Sequence, residues 1–145
     1  MIKTFELKIY KAFLIFFGLF HLLLGIVGSL SSSLFFKLIY LVWHVDISPI
    51  PILSSAGKFF FAYMVGSGVM TLLIAQDIKK YRVFLLASMA GIFVEFVQPL
   101  IFFNEIKTSF NVASEFMILN IVILIALFLV FSLIYIRTKK DTIKT

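Results

Sequence analysis

Cysteine is absent from the chain. Its absence excludes disulfide staples, thiol redox chemistry and thiolate metal sites, and it leaves the redox state of the compartment unread. Charge is scarce too: 14% of residues are Asp, Glu, Lys or Arg, against about 25% in a typical soluble domain. The motifs of soluble enzymes are missing: there is no glycine-rich phosphate loop, no G-x-S-x-G and no H-E-x-x-H. The GSG at 66–68 lacks the lysine and the strand that a phosphate loop needs, so it reads as a place for close helix packing. No repeat of fixed period is visible. No metal site and no cofactor is expected from these residues.

What the chain has is apolar surface. Of its 145 residues 62% are hydrophobic, and the mean hydropathy is +1.13. A soluble domain of this size could not hide so much, so the solvent is read as lipid. The net charge of +6 is then a matter of position along the chain, and nucleic acid is not an expected partner. The length allows one integral membrane domain, 1–145, and no separate soluble one.

Four apolar runs are long enough to cross a bilayer, at about 12–30, 59–75, 83–103 and 116–136. The first, AFLIFFGLFHLLLGIVGSL, follows a basic lead at 1–11 and precedes small residues, as a signal peptide would. Signal-peptide apolar cores usually run about 7–15 residues, so this run is read as a retained helix. Residues 34–45, LFFKLIYLVWHV, carry Lys37, Tyr40, Trp43 and His44 and predict a short interfacial helix between spans one and two. A fifth, tilted span there is cramped by Asp46 and Pro49. Pro49 and Pro51 predict a loop up to residue 57. IKKYR at 78–82 predicts a tight basic turn, 104–115 a polar connection, and 137–145 a disordered basic tail.

Ten of the thirteen Lys and Arg residues lie in the N-terminal lead, the 78–82 turn and the tail. Four spans put those three segments on one side. The positive-inside rule then predicts an all-α, four-transmembrane-helix bundle with both termini cytoplasmic, in a cell (inner) membrane.

The polar residues inside the spans are few and ordered. Glu95 lies mid-span and is followed by Gln98 and Pro99. Ser88, Gly91, Glu95 and Gln98 share one helical stripe; so do Gly18, His21, Gly25 and Gly28. Tyr63, Ser67, Met70, Thr71 and Ile74 share a face of span two, and Asn120, Leu124, Leu127 and Phe131 share one of span four. Counted from the basic end, Ser67, His21, Glu95 and Tyr63 come to roughly 14, 15, 18 and 20 Å, and Asn120 to roughly 24 Å. A His21–Glu95 pair with Tyr63 as third member is therefore allowed by depth. An acid at a helix centre costs about 2.5–3.5 kcal/mol on the insertion scale, which protonation, a partner or water would relieve. Such an acid is a functional candidate by default, although polar groups between helices often only hold them together. Pro99, one turn after Glu95, is expected to kink the helix and free a carbonyl near the outer end. The candidate intramembrane site is Glu95, His21, Tyr63, Ser67, Gln98 and Asn120.

Three segments carry a resemblance: FGLFHLLLGIVGSL in span one, AYMVGSGVMTLLIAQD in span two, and the Glu of GIFVEF in span three. With them the chain resembles the small BphX-like and DoxX-like four-helix membrane proteins. The resemblance implies a bacterial inner-membrane location and four spans. A further intramembrane acid associated with BphX-like proteins is replaced here by the neighbourhood of Gln98 and Pro99. The function expected is binding of a lipid or small hydrophobic ligand, or service as a membrane-complex subunit, with a membrane protein partner or a second copy as further partners. Two other readings stay open: a small proton-coupled transporter using Glu95, and a membrane enzyme with Glu95 and His21 as acid and base.

Overall fold

The structure is a computed structural model, and it describes residues 4–43, 51–110 and 112–142. Seven helices occur there, and no strand occurs among the described residues. They are α1 (Thr4–Leu30), α2 (Ser32–Trp43), α3 (Pro51–Gln76), α4 (Ile78–Tyr81), α5 (Val83–Ile101), α6 (Phe103–Phe110) and α7 (Ser114–Thr142). Four segments are long and apolar enough to cross a membrane: Thr4–Leu30, Gly57–Gln76, Val83–Ile101 and Ser114–Lys139. The shortest has 19 residues, which at ~1.5 Å per residue matches a hydrocarbon core of about 30 Å.

Several boundaries differ from the sequence reading. The basic lead is helical from Thr4, because Leu7 and Tyr10 pack on the bundle core. The C-terminal tail stays helical to Thr142, with Thr138 fully buried. Tertiary packing of this kind overrides the local cues that predicted disorder. Residues 51–57 are helix and not loop: Pro51 occupies the first position of α3, where its missing N–H costs nothing. The polar stretch after α5 also contains a helix, α6. It half-buries Phe103 and Ile106, spaced three apart, and exposes Asn104, Glu105 and Lys107. The short helix expected at 34–45 is present as α2, beginning at Ser32; the Ser31 hydroxyl accepts from the Leu34 N–H at 3.1 Å. His44, Val45 and the loop to Ile50 lie outside the described residues, as do residues 1–3 and 143–145.

The spans associate as two pairs. The most extensive contact is α1 with α3, and the next is α5 with α7; α3 meets α5 over a much smaller area. Glycines set the first pair. A Cβ at Gly25 would stand 2.7 Å from the Phe61 carbonyl oxygen, and one at Gly68 would stand 2.6 Å from the Leu22 nitrogen. No hydrophobic force drives apolar helices together in lipid, so this close backbone approach supplies the attraction through dispersion. The GSG expectation holds for Gly68; Gly66 faces open space.

The two pairs join at one end. Leu14 and Phe17 of α1, Ile74 of α3, Leu85 of α5, and Phe131 and Ile134 of α7 form one buried cluster. Phe131 is its hub, meeting Phe13 and Phe17 edge-on at 5.9 and 5.3 Å between ring centroids. The basic segments flank this cluster, since Leu7, Tyr10, Ile78, Tyr81 and Tyr135 all pack on it. A separate cluster, Phe61 and Met64 with Leu24, Phe36 and Leu38, lies away from that end. It draws only on α1, α2 and α3. The core is thus shared by all four spans at the basic end and is divided at the other.

Candidate functional site

On the α5 stripe of Ser88, Gly91, Glu95 and Gln98, Gly91 is the residue that meets α3. Ser88 is buried, and its hydroxyl donates to the Phe84 carbonyl at 3.4 Å. Gly91 meets Tyr63 of α3: a Cβ there would stand 2.6 Å from the Tyr63 hydroxyl. The missing side chain is what lets the phenol rest against α5. Glu95 lies one turn beyond Gly91 on the same stripe.

Glu95 is half-buried. Among the described residues no hydrogen bond or ion pair reaches its carboxylate. No buried side-chain oxygen or nitrogen lacks a partner there, so the unpaired carboxylate borders open space. Pro99 is inside α5 and has no N–H to give, so the backbone carbonyl of Glu95 lacks its usual donor four residues on. Residue 95 therefore presents two acceptors at one point, a carboxylate and a carbonyl, in a seam where the helices touch little.

His21 takes a different position. Gly18 and Gly25 on its stripe abut α3, while Phe17 packs on Phe131 of α7. His21 falls between these directions and looks toward the middle of the bundle. Its Nδ1–H donates to the Phe17 carbonyl at 3.0 Å, and its ring lies 4.0 Å from that of Phe17. The neutral ring then keeps Nε2 as an acceptor. Gly68 abuts Leu22, which puts His21 level with Ser67 and Gly68. Among the described residues no hydrogen bond or ion pair joins His21 to Glu95. The pair allowed by depth is not made in this structure, because the His21 ring is held by its own helix.

Ser67 is half-buried one turn from Tyr63 on the same face, and its carbonyl accepts from the buried Thr71 hydroxyl at 2.8 Å. Gln98 is exposed at the end of the α5 stripe. Asn120 is half-buried and stands apart. Phe128 meets Phe93 and Phe96, which flank Glu95, and Asn120 is eight residues or about 12 Å further along α7. Among the described residues no three His, Asp or Glu side chains converge as metal ligands would. The sequence reading missed one set of residues, Tyr10, Tyr81 and Tyr135. All three are partly buried against the core at the basic end, and each stands within two residues of a Lys or Arg in the sequence.

Fold and hydropathy together make this a chain with the makeup of a multi-pass membrane protein. Comparison with protein-family models, with curated proteins and with solved structures finds no match.

Proposed function

We propose that this protein binds a lipid or a small hydrophobic molecule in the seam between α3 and α5, with Glu95 and Tyr63 as its polar contacts. The observation that carries the reading is the half-buried Glu95 carboxylate, which has no hydrogen-bond or ion-pair partner among the described residues, one turn from the Gly91 on which the Tyr63 phenol rests. A structural acid would be expected to spend its hydrogen-bonding capacity on neighbouring helices. This one keeps it, where the two helix pairs have little mutual contact. An occupant with an apolar body and a hydrogen-bond-donating head would fill the seam and satisfy both the carboxylate and the free carbonyl. The enzyme reading needs Glu95 and His21 in communication, and among the described residues no hydrogen bond or ion pair joins them.

The same reading places both termini and α4 on the cytoplasmic side and α2 at the opposite interface. The meeting of Lys8, Lys11, Lys80 and Arg137 at one end of the bundle supports that orientation under the positive-inside rule. The likeness to BphX-like and DoxX-like proteins agrees with four spans in a bacterial inner membrane.

The test is quantitative mass spectrometry of lipids and small molecules that co-purify with the wild type, Glu95→Gln and Tyr63→Phe. One species should accompany the wild type and fall at least ~10-fold in Glu95→Gln, as loss of a charge-assisted hydrogen bond requires. Thermal stability should hardly change, since among the described residues no group bonds to the carboxylate. Identical profiles for all three proteins would refute the proposal.

A further inference from the structure

At the basic end, α4 packs against the last turns of α7. Ile78 and Tyr81 of α4 and Ile134 and Tyr135 of α7 belong to one cluster. The cations alternate with these anchors. Lys79 and Lys80 are exposed around buried Ile78, and Arg82 is half-buried beside Tyr81. On α7, Arg137 and Lys139 are exposed on either side of fully buried Thr138. The anchors restrain the backbone that carries the cations. Asp77 adds to this restraint, since its Oδ1 accepts from the Lys80 N–H at 3.0 Å and holds the turn of α4.

The tyrosines mark the depth. Tyr10, Tyr81 and Tyr135 come from three different helices and meet the core at this one end. Tyrosine favours the level of the lipid headgroups, with its ring toward the chains and its hydroxyl toward water. The Lys80 Nζ lies 5.0 Å above the Tyr81 ring, which ties one cation to that level. The arrangement therefore sets five cations at headgroup depth. The carboxylates of the two elements at this end are Asp77 at the cap of α4 and Asp141 in the last turn of α7, so cations outnumber them.

We propose that the α4–α7 collar is a binding site for anionic phospholipid headgroups, with Lys79, Lys80, Arg82, Arg137 and Lys139 receiving the phosphodiester. The site is independent of the Glu95 seam. The two lie about 18–20 Å apart along the helices. Its ligand is recognised by charge, and the ligand of the seam by hydrogen bonding in an apolar setting. Each basic residue at a membrane surface contributes about a fivefold gain in partition toward anionic lipid at ordinary salt.

The experiment is native mass spectrometry of the full chain, delipidated in detergent and offered equal amounts of phosphatidylglycerol and phosphatidylcholine. The wild type should retain phosphatidylglycerol preferentially, and raised salt should weaken the preference. K79Q/K80Q/R82Q should reduce it at least ~10-fold, and so should R137Q/K139Q, whose changes lie on a different helix. K79R/K80R should keep it. Glu95→Gln should keep it as well, which separates failure here from failure of the seam proposal. Equal retention of the two lipids by the wild type would overturn the inference. So would a preference that both sets of Gln substitutions leave intact, or displacement of the lipid by equimolar inorganic phosphate.

Discussion

The sharpest test of the packing is Gly25→Ala, with Gly66→Ala as its control. Both glycines belong to spans of the same α1–α3 pair, and the two substitutions add the same methyl group. At Gly25 the new Cβ would meet the Phe61 carbonyl oxygen and the Val65 nitrogen, each at 2.7 Å. Both are backbone atoms, so no side chain can swing aside. Ordinary contact begins near 3.4 Å, so α1 and α3 must part by about 0.7 Å at this point. A gap of that size forfeits about a quarter to a half of each dispersion contact, and each contact is worth about 0.1–0.2 kcal/mol. With on the order of 20 atom pairs along the glycine seam, the loss comes to about 1–2 kcal/mol, within the usual range for overpacking. At Gly66 nothing lies within 4 Å, and alanine should change stability by less than about 0.5 kcal/mol. Both proteins would be unfolded in mixed micelles, and free energies compared with wild type. Equal stabilities for the two variants, or a Gly66→Ala protein weaker than Gly25→Ala, would refute the account of how this pair is held.

Two further outcomes follow from the fold. Phe131→Ala removes the ring on which Phe13 and Phe17 meet α7, at a fully buried site, and should cost about 3–5 kcal/mol in the same unfolding assay. The absence of native cysteine makes topology directly readable: single cysteines introduced at Lys8, Lys80 and Lys139 should all label from the same, cytoplasmic side with a membrane-impermeant thiol reagent, and one at Lys107 from the other.

Much of this was open to inspection in the residues themselves. The four spans were legible because lipid offers no hydrogen bonds, so a crossing helix must declare itself by length and composition. The stripe of Ser88, Gly91, Glu95 and Gln98 followed from helical spacing alone, and of it Gly91 meets α3. The boundaries at 4, 51 and 142 were not legible. Lys8, Pro51 and Thr138 look locally like chain ends, and packing on other helices keeps their segments helical.

The sequence by itself determined the class of object and the number of apolar helices, since these depend on hydropathy and on rise per residue. Only the tertiary structure decided which of the polar residues meet. Depth allowed His21, Glu95 and Tyr63 as one group, but rotation and helix order set the outcome. Glycine at 91 admits the Tyr63 phenol next to Glu95, whereas His21 is turned to its own Phe17 carbonyl. The pairing of α1 with α3 and of α5 with α7 then leaves the Glu95 carboxylate without a hydrogen-bond or ion-pair partner among the described residues.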